Sequence, residues 1–145
     1  MPAGRRKARE ICLRVLFETE ISREDARETL ELALGRYRLT EDGRDYAVRL
    51  IECAAAHQEE VDDMLRRHLQ KWELGRLSVL VRSLLRLAGA ELLCLTESPA
   101  RVILDQAILL AQRYGEADAD KFVNGVLDPV AAELRREELR GGDPA

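Results

Sequence analysis

Apolar residues recur every three to four positions through most of the chain, which is the spacing of amphipathic helices. The first helix is predicted from about Ala3 to Glu20. Its apolar stripe consists of Ala8, Ile11, Cys12, Val15, Leu16 and Thr19. A second helix is predicted to begin at Ser22, which with Asp25 resembles a capping box, and to end near Tyr37.

A third, long apolar pattern extends from Asp45 to about Gln70 and predicts one continuous helix. The next pattern, from about Arg76 to Leu95, is the most apolar and predicts the central core helix. Glu91 falls inside its apolar stripe, where a carboxylate is costly to bury unless it is paired. The sequence therefore predicts a buried partner for Glu91.

Two more helices are predicted near the end of the chain. Ser98 followed by Pro99 is a helix start signal, and Gly115 marks the stop of that helix. Asp118 is placed to cap a last helix that ends at about Glu138. The tail, residues 141–145, is predicted to be disordered.

Composition supports an all-α chain of about six to seven helices. Of the 145 residues, 46% are hydrophobic, 34% are charged and only 4% are aromatic, with few glycines and prolines. No stretch approaches the roughly 20 apolar residues that cross a bilayer, and no signal peptide is recognisable. Cys12, Cys53 and Cys94 are widely spaced on apolar faces, so we expect reduced, buried thiols in a cytoplasmic protein.

Charge is distributed unevenly along the chain. The net charge of −4 argues against a nucleic-acid partner, but the first 14 residues carry five cations against one acid. The cations are Arg5, Arg6, Lys7, Arg9 and Arg14. On a helical wheel Arg6, Lys7 and Arg9 lie opposite the apolar stripe. We therefore predict a basic arm that turns these side chains outward to bind RNA phosphates.

Catalytic and metal-binding patterns are missing from the sequence. It has no CxxC, HExxH, phosphate-binding loop or GxSxG motif. His57 and His68 would be about 16 Å apart on one helix, too far to share a metal. We expect no catalytic residue, no metal, no cofactor and no enzymatic activity.

The last helix carries a candidate base-stacking side chain. Phe122 lies at the margin of its apolar stripe, with Asp118 one turn earlier and Gly125 on the same side. An exposed aromatic ring can stack an unpaired base, and a carboxylate can accept hydrogen bonds from base amino groups. The periodicity alone favours the alternative in which Phe122 packs on a neighbouring helix and Asp118 is only a cap.

Four parts of the sequence resemble the NusB transcription antitermination factors. They are RRKARE at 5–10 with Leu16-Phe17, LLRLA at 84–88 with Glu91-Leu92, Pro99 to Ala111, and KFVNGVLD at 121–128. The resemblance implies two packed small helical bundles, at about 1–70 and 71–140 of a single domain spanning 1–140. It further implies a non-catalytic factor that binds boxA RNA of nascent ribosomal RNA transcripts together with NusE, a small-subunit ribosomal protein, in the RNA polymerase antitermination complex.

The resemblance also implies which residues form each surface. The RNA-binding residues would be Arg5, Arg6, Lys7, Arg9, Asp118, Lys121 and Phe122. The NusE-binding residues would lie on the central helix and are Leu77, Val81, Leu84 and Glu91. Val81, Ala90, Gln106 and Leu109 depart from the family pattern, which weakens the expectation for NusE and leaves room for a homodimer.

Two alternatives remain at this stage. One is a helical protein-interaction or dimerisation module with no RNA role. The other is a ribosomal RNA cytosine methyltransferase, since NusB-like domains also precede such enzymes, but the sequence has no Gly-rich cofactor loop after a strand.

Overall fold

The structure is a computed structural model that describes residues 3–139. Its long helices are α1 (Ala3–Ser22), α2 (Ala26–Leu34), α3 (Glu41–Ala56), α4 (Gln58–Arg67), α5 (Val79–Cys94), α6 (Ala100–Tyr114) and α7 (Ala119–Leu134). A 3₁₀ turn (Leu74–Arg76) precedes α5, and the four-residue α8 (Arg136–Leu139) follows α7. Within residues 3–139 no strand is present, which confirms the all-α class. The predicted disordered tail, 141–145, lies outside the described residues.

Helix starts follow the capping chemistry of the sequence, with one shift in position. Ser22 is the last residue of α1, so the prediction that α2 begins there is wrong. The α2 cap is Asp25, whose carboxylate accepts hydrogen bonds from the backbone of Arg27 and Glu28. Arg23, with a φ of 67°, ends α1 and turns the chain before this cap.

The predicted continuous helix from Asp45 to Gln70 is broken at His57, which separates α3 from α4. The backbone of His57 donates to the carbonyl of Cys53 and accepts from the amide of Val61. Because both helix ends are satisfied through this one residue, the break needs neither glycine nor proline. The apolar pattern consequently continues through it without a marker in the sequence.

Helix α5 is the centre of the molecule, as predicted. It packs against α1, α3, α4, α6 and α7, and its buried residues include Leu84, Leu85, Leu87 and Leu92. The helices α1, α2 and α3 pack on one another, as do α5, α6 and α7. The two groups meet where α5 contacts α1 and α3. None of the described helices combines the length and the apolar character needed to cross a membrane.

The prediction of three reduced thiols is wrong for two of the cysteines. Cys53 of α3 and Cys94 at the end of α5 form a disulfide with a Cα–Cα distance of 6.3 Å. The packing of α3 on α5 brings together two residues that lie 41 positions apart in the sequence. Cys12 is free and fully buried, and burial raises the pKa of its thiol.

Candidate nucleic-acid interface

Arg9 lies inside the protein rather than on the predicted outer face of α1. Arg9 and Glu91 are each only 2% exposed, and the guanidinium Nη2 lies 2.7 Å from the Glu91 carboxylate. The Tyr46 hydroxyl donates to the same carboxylate at 2.5 Å and lies 2.6 Å from the Ser98 hydroxyl. Glu91 thus has the buried partner that the sequence predicted, whereas the outward orientation of Arg9 is wrong.

The reason is that α1 buries a wider arc than its apolar stripe. It packs against α2, α3 and α5, so Ile11, Cys12 and Leu13 are all buried although they point in different directions. Arg9 falls within this arc, opposite the acidic residue of α5. Its burial and its pairing with Glu91 remove it from any surface that could contact RNA.

Arg5 is held by acidic neighbours. Its guanidinium donates to both carboxylate oxygens of Asp42, at 2.9 and 3.1 Å, and lies 3.5 Å from the carboxylate of Glu97. The same group lies 4.5 Å from the centre of the Tyr46 ring. The hydrogen bond from Arg5 lowers the pKa of Asp42, so this ion pair stays charged at neutral pH. Arg5 is therefore a link between α1 and α3, partly shielded from solvent.

Arg6 and Lys7 differ from the two other predicted cations because both are exposed. Lys7 shares one face of α1 with Glu10, Arg14 and Phe17, at intervals of three and four residues. This face leads from the start of α1 to a groove on the surface.

The groove has a volume of about 890 Å³ and lies between three parts of the chain. Glu10, Leu13, Arg14 and Phe17 of α1 form one wall, residues 76–81 form a second, and residues 114–119 form the third. Trp72 and Phe122 complete the lining. The groove thus brings the start of α7 next to the α1 face that carries Lys7.

The predicted residues of α7 lie at this groove or beside it. Asp118 and Phe122 line the groove, and the exposed Lys121 lies with its ammonium 3.7 Å from the Asp118 carboxylate. Asp118 is the residue that immediately precedes α7, as predicted, but with a φ of 69° its side chain makes no capping hydrogen bond. The carboxylate is exposed to solvent instead, where it can accept hydrogen bonds from a ligand.

Trp72 is the aromatic residue that the sequence reasoning missed. Its ring lies 6.1 Å from that of Phe122, centre to centre, with the two planes at 85°. Trp72 is 57% exposed, whereas Phe122 is partly buried against the core. The signal in the sequence is an aromatic residue in a polar segment between two helical patterns, outside any apolar stripe.

An ion pair holds α1 against the end of α6, next to the wall formed by residues 114–119. The Glu10 carboxylate lies 3.1 Å from the guanidinium of Arg113 and accepts a hydrogen bond from the Tyr114 hydroxyl. This hydrogen bond raises the pKa of Tyr114. The end of α6 is thereby tied to the middle of α1, beside Arg14 and Phe17.

The predicted NusE-binding residues divide into two classes. Leu77 and Val81 line the groove and are partly exposed. Leu84 is 2% exposed in the core and Glu91 is bound to Arg9, so the prediction that these two form a surface for a partner is wrong. Helix α5 turns these later residues inward because other helices cover it along most of its length.

The positions that depart from the family pattern also divide. Ala90 and Gln106 are buried, so neither can contact a partner directly. Val81 is at the groove, and Leu109 is exposed on α6. Among residues 3–139, no group of three His, Cys, Asp or Glu side chains is arranged to hold a metal ion.

The sequence matches the model of the NusB family over residues 6–132. A transcription antitermination protein NusB from Desulfitobacterium hafniense is 35% identical over 142 residues, which cover 97% of this chain and 96% of the relative. The NusB of Bacillus subtilis is 35% identical over 132 residues, covering 91% of this chain and 98% of the relative.

Solved structures resemble the whole described fold. NusB of T. maritima superposes with a TM-score of 0.87 at 39% identity, covering 95% of this chain and 98% of that one. A chain in the crystal structure of antitermination factors NusB and NusE in complex with dsRNA gives a TM-score of 0.82 at 30% identity. The superposition covers 92% of this chain and 99% of that chain.

Proposed function

The chain belongs to the NusB family, and we propose that it is a transcription antitermination factor that binds boxA-type RNA of nascent ribosomal RNA transcripts together with NusE. One observation carries the proposal for the site. Two segments that are distant in sequence, residues 10–17 of α1 and the start of α7, border a single groove that contains aromatic rings, and the exposed Lys7 lies on the same face of α1. Such a combination of cations and rings is typical of single-stranded RNA binding.

Each group of side chains has a distinct role in this proposal. Arg6 and Lys7 are exposed cations that bind phosphates and set the salt dependence of binding. Phe122 contributes an aromatic surface to the groove, and Asp118 accepts hydrogen bonds from base amino groups. Lys121, which is exposed beside Asp118, adds a third phosphate contact. Arg5 acts indirectly, by holding the start of α1 on α3.

We propose that NusE binds at the aliphatic end of the same groove, around Leu77 and Val81. These two side chains are partly exposed and adjoin Leu80, so they offer apolar surface without a charge. RNA and NusE would then occupy neighbouring parts of one continuous surface. This arrangement explains how one small protein presents RNA and a protein partner to the polymerase antitermination complex.

Recognition is sufficient for this role, so we propose that the protein catalyses no reaction, uses no cofactor and acts in the cytoplasm. We also propose that it acts as the single NusB-like domain anticipated from the sequence. A second candidate, self-association, is favoured by Leu109, which is a large apolar side chain exposed on α6. Light scattering at micromolar concentration distinguishes a monomer from a dimer.

The proposal is tested by titrating the protein with a boxA oligoribonucleotide, with and without NusE, and following fluorescence anisotropy of a labelled RNA. We expect Phe122→Ala to weaken binding by about 1–3 kcal/mol, the value of one base–aromatic contact. Leu32→Ala, which truncates an exposed apolar residue of α2, is the matched control and should bind as the wild type does. The proposal is contradicted if the wild-type protein fails to bind RNA both with and without NusE.

A further inference from the structure

The rings of Trp72 and Phe122 form a corner at one end of the groove. Their planes are nearly perpendicular, at 85°, with the centres 6.1 Å apart. In this edge-to-face arrangement one ring directs its edge at the other, as aromatic pairs prefer. A flat ligand that stacks parallel to one of these rings is therefore nearly perpendicular to the other ring, and the edge of the ligand contacts that second ring.

Trp72 is held in place although its ring is exposed. Its backbone amide donates to the carbonyl of Leu69 at 2.7 Å, and the buried side chains of Leu69 and Leu74 anchor the segment on both sides. A tryptophan that is 57% exposed contributes little to the core, and more than half of its surface remains in contact with water. The segment thus presents a fixed aromatic surface that requires little ordering when a ligand binds.

We infer that Trp72 is a base-stacking residue, and that an unpaired nucleobase of the RNA lies on its indole ring with Phe122 closing the corner. This inference rests on the proposed function and assigns the larger stacking surface to Trp72. Phe122 then acts as the second, more buried member of the pair. A nucleobase is the ligand that fits because it is flat, aromatic and carries polar groups on its edge.

The chemistry around the corner favours a nucleobase over a protein side chain. Asp118 lines the same groove and can accept hydrogen bonds from the edge of a base. Arg14 and Arg76 also line the groove, and the exposed Lys121 lies beside Asp118, so the groove that holds the two rings also carries cations that can bind RNA phosphates. An apolar side chain of a protein partner is better matched by the aliphatic end, where Leu77 and Val81 lie.

The inference can be tested with the intrinsic fluorescence of the protein, because Trp72 is the only tryptophan in the sequence. We expect single-stranded boxA RNA to quench this fluorescence in the same titration that reports binding by anisotropy. RNAs with one abasic position each should retain binding to different degrees, and one of them should lose most of the quenching. That position identifies the stacked base.

Three variants separate stacking from packing. Trp72→Ala should weaken RNA binding about 5- to 150-fold. Trp72→Phe keeps an aromatic face and should lose less RNA affinity than Trp72→Ala. Trp72→Leu keeps apolar bulk beside Phe122 but no aromatic face, so it should lose nearly as much affinity as Trp72→Ala. The slope of log affinity against log salt should stay the same in all three, because no phosphate contact is removed. Thermal melting should also be close to that of the wild type.

The outcomes distinguish this inference from the proposed function. If Trp72→Ala binds RNA as the wild type does while Phe122→Ala is weakened, Trp72 is not a stacking residue but the proposed function stands. If the wild type binds no RNA, both fail. If Trp72→Leu binds as well as Trp72→Phe, the ring acts only through packing and the inference is wrong. Quenching by NusE alone, with none by RNA, would assign the corner to the protein partner instead.

Discussion

Removing the carboxylate of Glu91 should destabilise the protein more than removing any surface charge. Glu91 and Arg9 are each 2% exposed, and the Arg9 Nε atom lies 2.7 and 3.0 Å from the two carboxylate oxygens. In Glu91→Ala the guanidinium would stay in the core without its counter-charge. Breaking a buried pair on one side costs about 3–5 kcal/mol, a large part of the 5–15 kcal/mol that stabilises a typical domain.

The double variant Arg9→Met/Glu91→Met gives the comparison that identifies the cause. It removes both charges and fills the space with apolar side chains of similar volume, so we expect a much smaller loss of stability than in Arg9→Met alone or Glu91→Met alone. Tyr46 would keep Ser98 as a hydrogen-bond partner. A coupling energy of at least about 2 kcal/mol in this cycle is expected for side chains in direct contact.

Urea unfolding followed by circular dichroism measures these free energies. Asp63→Ala is the matched control, because Asp63 pairs with Arg66 at the surface, where such pairs contribute about 0–1 kcal/mol. The reasoning fails if Glu91→Ala costs no more than this control. Such a result would mean that water reaches Arg9 and compensates for the missing carboxylate.

Three further predictions follow from the charges and thiols. Arg6→Ala/Lys7→Ala should reduce the slope of log RNA affinity against log salt concentration by roughly 0.7 for each phosphate contact that is lost. Alanine substitutions at residues 66–67 on α4 should leave this slope unchanged. Hydrogen bonds from Arg49 lower the pKa of Glu97 below its ordinary value of 4.5. The contribution of the ionised Glu97 to the stability of the protein is therefore complete above pH 4.5 and is lost as the pH falls through the lowered pKa. Glu97→Gln should therefore lose more stability at pH 7 than at pH 3 in urea unfolding. Alkylation without reductant should label one thiol, Cys12, and only after unfolding.

The parts of the fold that local chemistry determines could be predicted from the sequence. The apolar pattern of α5 identified the central helix, and Gly115 ends α6 as predicted. The break at His57 could not be predicted, because the same apolar face continues on both sides of it. The disulfide could not be predicted either, since the distance between Cys53 and Cys94 depends on how α3 packs on α5.

The candidate site shows the same division between local and tertiary information. The wheel predicted a marginal position for Phe122, and its side chain is partly buried against the core while it lines the groove. Trp72 lies in a joint without periodicity, so only the packed structure shows that its ring meets that of Phe122. Leu84 belongs to the apolar pattern of the central helix, and its burial agrees with that pattern. Its assignment to a partner surface came from the family resemblance, which does not show how many neighbouring helices cover each position.

The cations of the N-terminal segment show why a local charge count overestimates the charge available for RNA. Five cations stand near the start of α1, but Arg9 is bound to Glu91 in the core and Arg5 is bound to Asp42. Arg6 and Lys7 are the exposed cations of the RRKAR run, residues 5–9. The run should therefore contribute about two phosphate contacts to the salt dependence, not four. The other two cations lie one helical turn apart on the same side of α1, both beside the Tyr46 ring. They hold α1 in the orientation in which the face carrying Lys7 leads toward the groove.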